Sequence, residues 1–308
     1  MIVETALAKL DLAIHINPRK KDGLYPVDYV DCQLDIGDKL SFFPKQSDIE
    51  IVCNNPDVPV NLDNFIYKAA VILKKTAGNK NLGAKIVLEK QIPVKAGFGG
   101  GPADGAAAVR GLCRLWRIKF SKGQIQTISK SLGKDFFYSM YGGLGEVGSR
   151  GKDYKFRKID ASLPKFHLVV LVPKRQKPST GWIYEHLKAE KLGKSRGLLK
   201  GLIEAIAAGD RAQILANLHN DFEDMDFQFS SQIDRMKRDL AGLGAGRSLM
   251  AGAGLAVVGF FDTKARADRA RKALSGKYQE VYLTKPLEHR HSGESLDFAQ
   301  GKLRDTRI

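Results

Sequence analysis

The chain has 308 residues, of which 43% are hydrophobic, so it can bury the core of one large domain or two ordinary ones. This composition excludes a disordered chain, a collagen-like repeat and a small disulfide scaffold. Fifty Lys and Arg residues against 34 Asp and Glu residues give a formal net charge of +16. That charge indicates an anionic partner, for which nucleic acid, an acidic membrane surface and a phosphorylated metabolite are the candidates.

The three cysteines, Cys32, Cys53 and Cys113, lie far apart and fit no metal-ligand spacing, which is typical of core thiols in a reducing compartment. No apolar run approaches the ~20 residues that a membrane-spanning helix needs. The N-terminus also lacks a basic region followed by an apolar block. The sequence therefore predicts a cytoplasmic protein without a membrane partner.

Two alternating runs predict a pair of antiparallel strands near the N-terminus. In the first run, residues 10–16, apolar residues take the even positions, so Lys9 and Asp11 fall together on the other face. The second run, residues 30–36, is expected to end at Gly37 and Asp38.

The chain then alternates between predicted strands and helices up to residue 155. Short strands are expected around residues 40–43, 49–53 and 84–90, and a helix runs from Asp63 as its N-cap to Gly78 as its C-cap. Two further helices are predicted over residues 103–118 and from Ser121 to Gly133. The glycine- and aromatic-rich segment 135–148 favours a strand over a helix.

A change in composition near residues 155–165 predicts a domain boundary, which divides the chain into residues 1–158 and 159–308. The second part begins with a buried strand at 168–172 and is helical from Arg196, with breaks near Gly209 and Asn220. Strands at 255–261 and 281–284 around a helix from Asp262 predict a final β-α-β unit. The polar tail from Glu288 is expected to be peripheral.

A glycine-rich stretch between the strand at 84–90 and the helix at 103–118 is the strongest local signal. Four glycines in five positions let backbone N–H groups approach an anion, and the helix end adds unpaired donors and partial positive charge. Pro102 fits as the first helical residue. The spacing matches neither a Walker nor a Rossmann loop, and a turn without a ligand stays the alternative. The glycines are Gly97, Gly99, Gly100 and Gly101.

Residues 93–107, which read PVKAGFGGGPADGAA, resemble the ATP-binding loop of the GHMP kinases of small metabolites, Pro-x-x-x-Gly-Leu-Gly-Gly-Gly-Ser-Ser/Ala-Asp-Ala-Ala. Blocks at residues 8–12, 22–25, 133–135 and 252–254 agree with that family in order and spacing. The resemblance spans nearly the whole chain. It implies the two-domain α+β fold of these kinases, with mixed sheets and helices packed on them, and with the ATP-binding loop in residues 1–158.

The resemblance also implies an activity. This is transfer of the ATP γ-phosphoryl group to the 2-hydroxyl of a cytidine-diphosphate-linked methylerythritol, a step of the non-mevalonate route to isoprenoid precursors, with ATP and Mg²⁺ as cofactors. In that family an Asp removes the hydroxyl proton beside a Lys, and the matching residues are Asp135 and Lys9. A lysine beside the carboxylate keeps it ionised. The implied ATP-binding residues are Asn64, Lys90, Pro93, Gly97, Gly99, Gly100, Gly101, Ala103 and Asp104.

The implied substrate site pairs Tyr25 and Tyr184 around the cytosine base, with Asp11, Thr180 and Gly252 completing it. A tyrosine replaces a His of the family, which keeps stacking and alters the reading of the base edge. A core position on an amphipathic helix is the alternative for Tyr184.

Several residues depart from the family pattern. Pro102 stands where the family has a Ser, Asp11 replaces an Asn, and Ala251 and Ala253 replace hydroxyl residues. Each change alters a polar contact of ~1 kcal/mol or more. Two alternatives therefore stay open: a kinase of a different small alcohol, and a nucleotide-binding homologue with weakened catalysis.

Basic residues cluster only at 19–21 and 174–177, without the interleaved aromatics that nucleic-acid binding favours. These clusters fit the rim of a cleft for an anionic substrate, or a solvated surface. We expect a small-molecule substrate, no nucleic-acid partner, and a monomer or homodimer. The sequence names no ligands for Mg²⁺.

Overall fold

The computed structural model describes residues 1–287 apart from 22, 120, 151, 152, 176 and 226. Asp22 of one sequence block and the tail from residue 288 thus lie outside the described residues. The strands are β1 Ile2–Ile16, β2 Val27–Lys45, β3 Ile49–Cys53, β4 Gly83–Glu89, β5 Gly145–Arg150, β6 Asp153–Lys158, β7 His167–Val172, β8 His219–Asn220, β9 Arg247–Met250, β10 Val257–Phe261 and β11 Glu280–Thr284.

Helices cover both sheets, and their first turns supply several of the site residues described below. They are α1 Phe65–Thr76, α2 Gly100–Trp116, α3 Lys122–Leu132, α4 Lys134–Tyr141, α5 Thr180–Glu185, α6 Arg196–Ala208, α7 Arg211–Asn217, α8 Ser230–Gly242 and α9 Lys264–Leu274. None of these described helices combines the length and the apolar character needed to cross a membrane.

The strands form two sheets, which confirms the predicted α+β class. The first has the order β3-β4-β2-β1-β8, with β5 and β6 added beside β2, and it mixes parallel and antiparallel pairs. The second has the order β11-β7-β10-β9 and is antiparallel. The final β10-α9-β11 unit exists as predicted, but β7 lies between its two strands. We propose a domain division after residue 158, with β8 returning from the second part to pair with β1.

The N-terminal antiparallel pair is confirmed, although β2 is longer than predicted. It runs through Gly37 without ending there, so the predicted separate strand at 40–43 is wrong. A Cβ at Gly37 would lie 2.8 Å from Cγ2 of Thr5, so glycine here allows close approach between paired strands and does not end one. Both faces of β1 are buried from Ala8 onward, and Lys9 and Asp11 lie on an interior polar face.

Segment 135–148, predicted as a strand, begins as helix α4. The helix forms because its aromatic residues, Phe136, Phe137 and Tyr138, are buried in the core, which outweighs the strand propensity of such residues. Helix α2 begins at Gly100, so Pro102 is its third residue and not its first, still within the turn whose N–H groups need no intrahelical acceptor.

The boundaries of α1 also differ from the sequence prediction. Asn64, not Asp63, is the N-cap, and its side-chain oxygen accepts a hydrogen bond from the N–H of Ile66 at 2.7 Å. The C-cap is Ala77, one residue before Gly78. This cap brings Asn64 to the same edge of the fold as the glycine loop.

The contact between α2 and β2 generates a stability prediction. A Cβ at Gly111 would lie 2.3 Å from the ring of the fully buried Phe42, so Gly111→Ala forces the helix away from the sheet. We expect the free energy of unfolding, measured by urea titration, to fall by ~1–3 kcal/mol.

The matched control is Gly197→Ala near the start of α6, where a Cβ meets nothing within 4 Å. That change is expected to leave the stability unchanged or raise it by up to ~1 kcal/mol, because alanine favours a helix. Equal effects of the two substitutions would contradict the packing argument.

Candidate active site

A cavity of about 1130 Å³ lies against the glycine-rich loop, the starts of α1 and α4, and the segment that leads into α5. It brings together most of the residues that the sequence predicted as functional. Asp11, Ala103 and Gly252 do not line it in the described structure. The predicted residues that do are Lys9, Tyr25, Asn64, Lys90, Pro93, Gly97, Gly99, Gly100, Gly101, Asp104, Asp135, Thr180 and Tyr184.

The glycine loop is held between β1 and the glycine block at residues 252–254, called the third glycine block below. The N–H of Lys9 donates to the carbonyl of Phe98 at 3.0 Å. On the other side, a Cβ at Gly97 would lie 1.9 Å from the carbonyl oxygen of Ala251, and one at Gly254 would lie 2.1 Å from that of Ala96. Any side chain at Gly97 or Gly254 would separate the two loops, so their glycines serve backbone-to-backbone packing.

The other loop glycines make room for neighbouring side chains. Gly99 adopts φ +66°, and a Cβ there would lie 2.9 Å from Cγ of Lys9. At Gly100 a Cβ would lie 3.2 Å from Nζ of Lys90. No side chain in the described part of the chain caps the first turn of α2, which leaves this end of the helix, with its partial positive charge, for a ligand at the cavity.

Lys9 and Asp135 meet at one side of the cavity. Nζ of Lys9 lies 2.6 Å from both carboxylate oxygens of Asp11 and 3.8 Å from Oδ1 of Asp135. The hydroxyl of Tyr29 donates to the same Oδ1 of Asp135 at 3.2 Å. The side chain of Lys9 is 4% exposed and that of Asp135 is 40% exposed, so of these two only the carboxylate is open to a ligand.

The charges around Lys9 determine its protonation. Burial lowers its pKa, but the carboxylates of Asp11 and Asp135 raise it by more, so the net pKa lies above the ordinary value and Lys9 is an ammonium. Burial and the charge of Asp135 raise the pKa of Tyr29, so its hydroxyl keeps its proton and acts as a donor. Asp135, in the first turn of α4, therefore faces one cation and one neutral donor.

A second buried ion cluster lies beside the glycine loop. Nζ of Lys90 contacts Asp38 and, at 2.8 Å, Oδ2 of Asp104 in α2. Asp38 also accepts from the N–H groups of Gln91 and Ile92, which holds the segment that enters the glycine loop. Burial, followed by the charge of Asp38, raises the pKa of Asp104 against the opposing effect of Lys90. Oδ1 of Asp104 has no hydrogen-bond partner among the described residues.

Two lysines of the cavity wall were not among the predicted site residues, although the sequence placed one of them in a basic cluster at the rim of a substrate cleft. Lys134 lies over the rings of Tyr29 and Tyr154 and donates to the carbonyl of Val27, and burial lowers its pKa to about 8. Lys177, assigned from the sequence to a basic rim, is buried, donates to Oγ1 of Thr180 at 3.1 Å, and has a pKa lowered by burial to about 8. The sequence signal for Lys134 was its place within the block 133–135, and that for Lys177 was the basic cluster 174–177.

The two tyrosines assigned to the base lie next to each other. The ring centroids of Tyr25 and Tyr184 are 6.3 Å apart with an interplanar angle of 37°, and Tyr184 also packs edge-on against Phe222 at 5.2 Å. The guanidinium of Arg19 lies over Tyr25 at 5.7 Å. A base held between the two tyrosine rings requires them to become parallel and to move apart.

The fold and the site together define a small-molecule kinase. The model of the GHMP kinases N terminal domain matches residues 64–147, and that of the GHMP kinases C terminal domain matches residues 202–280. A protein of Listeria welshimeri named 4-diphosphocytidyl-2-C-methyl-D-erythritol kinase is 33% identical over 92% of this chain and 95% of its own length. A protein of the same name from Enterococcus faecalis is 32% identical over 93% of this chain and 99% of its own length.

The chain belongs to the GHMP kinase family, and it is similar over nearly its full length to the 4-diphosphocytidyl-2-C-methyl-D-erythritol kinases within it. A crystal structure of 4-(cytidine 5'-diphospho)-2C-methyl-D-erythritol kinase shares the fold, with a TM-score of 0.75, 24% identity, and coverage of 93% of this chain and 100% of that one. As a kinase of this family the protein uses ATP.

The lowered pKa of Lys134 predicts a pH-dependent stability. Burial moves this pKa from 10.5 to about 8, so between these values the unfolded chain binds a proton that the folded chain lacks. The buried charge therefore destabilises the fold below about pH 8, and this cost disappears as the pH rises toward 10.5.

We expect Lys134→Met to abolish ~1–3 kcal/mol of the rise in unfolding free energy over this range, as measured by urea titrations across it. Lys130→Met, which removes a half-exposed lysine of the same cavity, is the control and should keep the rise. A rise that is identical in wild type and Lys134→Met would show that Lys134 is not buried as a cation.

Proposed function

We propose that this kinase transfers the γ-phosphoryl group of ATP to the 2-hydroxyl of 4-diphosphocytidyl-2-C-methyl-D-erythritol, a step in isoprenoid precursor biosynthesis. The observation that carries the proposal is the meeting of Lys9 and Asp135 in one cavity with the glycine loop and with the Tyr25–Tyr184 pair. The cavity thus offers a phosphate cradle, a base and an aromatic surface to one bisubstrate complex. Full-length similarity to kinases of this name supports the choice of acceptor.

At the acceptor, we assign Asp135 as the group that takes the hydroxyl proton. Its Oδ1 accepts from Tyr29 and faces the ammonium of Lys9 at 3.8 Å, and both partners keep the carboxylate ionised and oriented. Lys9 also lies where negative charge develops as the hydroxyl oxygen attacks. Positioning and charge stabilisation then supply most of the rate enhancement, as in other phosphoryl transfers.

For ATP, we assign the phosphates to the loop of Gly97, Gly99, Gly100 and Gly101 and to the start of α2, where backbone donors and the helix dipole converge. Asn64, Lys90, Pro93 and Asp104 complete the wall, and Ala103 supports it from the core.

We propose Mg²⁺ as the metal cofactor. Mg²⁺ in kinases binds one or two carboxylates together with substrate phosphates. Oδ1 of Asp104, which lies beside the loop and has no partner among the residues that the structure describes, fits that donor set. When bound, the ion neutralises charge on the β- and γ-phosphates. Within the described residues there is no group of three or more His, Cys, Asp or Glu side chains that could hold a metal ion by itself.

For the substrate, we assign the base to Tyr25 and Tyr184 and the diphosphate to the cationic wall that includes Lys134 and Lys177. Thr180 presents its hydroxyl beside Lys177. Asp11 and Gly252 support the site without lining the cavity. Asp11 is buried against Lys9, and a Cβ at Gly252 would lie 3.0 Å from Oδ2 of Asp11. The three cysteines are free thiols, which fits a reaction in the cytoplasm.

A kinase of a different small alcohol is the second candidate, favoured by the substitution of Asp11 for the family Asn behind the acceptor site. The deciding experiment measures phosphate transfer from ATP to a panel that contains the diphosphocytidyl alcohol, free polyols and phosphorylated alcohols. A higher kcat/KM for the diphosphocytidyl alcohol than for all others is the expected result. Transfer to another alcohol alone supports the second candidate, and ATP binding without any transfer contradicts both.

The Lys9–Asp135 assignment predicts non-additive losses. Asp135→Asn should preserve ATP affinity and lower turnover by ~10²-fold or more, because the general base is lost. Lys9→Met should cause a comparable loss, and the double variant should be little worse than either single one, since both residues act on one step.

Turnover is measured under saturating substrates, with ATP affinity by calorimetry as the internal control for an intact fold. Losses that multiply in the double variant would separate the two roles. Near-normal turnover in Asp135→Asn would remove Asp135 as the base.

The tyrosine pair predicts a selective effect on substrate binding. Tyr184→Ala should raise the KM for the cytidine substrate by an amount equivalent to ~1–3 kcal/mol of lost stacking and leave the KM for ATP nearly unchanged. Tyr184→Phe keeps the ring and is the matched control, with a much smaller change. An effect of Tyr184→Ala on ATP alone would place this residue outside the base pocket.

A further inference from the structure

Asp31 is a carboxyl group buried behind the cavity, beside Asp11, that the mechanism above does not use. It lies on β2 directly opposite Asp11 of β1 in the antiparallel register, and it is fully buried. Neither of its oxygens has a hydrogen-bond donor partner among the described residues. Asp11 instead uses both of its oxygens to hold the ammonium of Lys9 at 2.6 Å.

Two ionised carboxylates cannot share this position at a tolerable cost. Like charges directly opposite each other on paired strands repel, and a buried carboxylate without donors loses its solvation without compensation. The single ammonium of Lys9 is already bound to Asp11 and faces Asp135 as well. A carboxylic acid at Asp31 removes the repulsion and turns an acceptor without donors into a donor for Asp11.

Charged and titratable groups from three elements surround Asp31, and their balance favours the neutral acid. Burial raises the pKa of Asp31 first, the charge of Asp11 raises it further, and Lys9 opposes them. The groups are Lys9 and Asp11 from β1, Tyr29 and Cys32 from β2, and Lys134, Asp135 and Tyr138 from α4.

We propose that Asp31 is a positioning residue of this kinase: its protonated carboxyl donates a hydrogen bond to Asp11 and thereby holds the Lys9–Asp11 pair in line with Asp135. The proposal rests on the proposed function for its kinetic consequence only. The arrangement leaves one net negative charge among the four groups Lys9, Asp11, Asp31 and Asp135. That charge resides on Asp135, the most exposed carboxylate of the set and the one assigned as base.

The first measurement is spectroscopic and requires no substrate. Infrared difference spectra of the ligand-free full chain at neutral pH, wild type minus Asp31→Asn, should contain the carbonyl stretch of a protonated carboxylic acid, with its isotope shift in D₂O. Asp35→Asn, which removes an exposed carboxylate from the same strand and keeps the oxygen that accepts from Thr284, is the matched control and should show only carboxylate bands. Carboxylate bands alone for Asp31 would overturn the proposal.

The second measurement tests whether Asp31 acts as a hydrogen-bond donor or only by its side-chain volume. Asp31→Asn keeps an N–H donor toward Asp11, whereas Asp31→Leu has similar volume and no donor. We expect kcat of Asp31→Leu to be ~10-fold or more below that of Asp31→Asn, with an unchanged KM for ATP in both, which is the scale of one hydrogen bond to a charged group.

Equal turnover of the two variants would overturn the positioning role. If Asp31→Leu does not fold, the spectrum and a severe loss of turnover in Asp31→Asn each remain able to contradict it. If the wild type transfers no phosphate to the diphosphocytidyl alcohol, the proposed function fails, and the infrared signal still decides the protonation of Asp31.

Discussion

The buried ammonium of Lys9 is the interaction on which the rest of the site depends. A charge in a protein interior costs several kcal/mol unless a partner of opposite sign is held close to it. Asp11 supplies that partner at 2.6 Å, and the pair constrains its surroundings. Gly99 and Gly252 lie so close to Lys9 and Asp11 that neither position has room for a Cβ without displacing the pair. One ion pair thus requires glycine at positions in two blocks from opposite halves of the chain.

The same contacts join the two parts of the chain. The backbones of Gly97 and Gly254 pack against residues 251 and 96 with no side chain between them. Asn220 donates to the carbonyls of Met250 and Gly252, so the third glycine block is fixed from the β8 side as well. Contacts from the C-terminal part therefore hold the glycine loop in place, and residues from both parts of the chain build the cavity together.

Local patterns carried most of what the sequence could predict. The order of strand, glycine loop and α2 and the alternation in β1 and β2 are patterns among neighbours in the chain. Lys9 and Asp135 were paired because each lies in a sequence motif of the family. The failures have physical causes that lie elsewhere in the molecule. Gly37 was predicted to end a strand, but its role is to allow close packing against Thr5 of the neighbouring strand. Helix α4 forms because its aromatic residues are buried in the core.

Burial of charged groups was the least predictable property. Lys134 loses its solvent to the rings of Tyr29 and Tyr154, which come from other elements. The encounter of Asp11 with Asp31 depends on the register of β1 against β2, and two irregularities, between Leu7 and Lys9 and between Asp11 and Ala13, set that register. Alternation predicts which face a residue occupies but not its partner across the sheet when bulges intervene.

The return of β8 to the first sheet bears on how the protein is made. Residues 219 and 220 extend the sheet beside Ala13 and Ile14, and the carboxylate of Asp221 accepts from the N–H of Ile16 at 2.7 Å. Until these residues have left the ribosome, the end of β1 has an unpaired edge, which is a template for association with other chains. At translation rates of ~5–20 residues per second, this edge stays open for several seconds after residue 158 is synthesised. The nascent N-terminal part is therefore an incomplete sheet, whose open edge can associate with other chains while this chain is still attached to the ribosome.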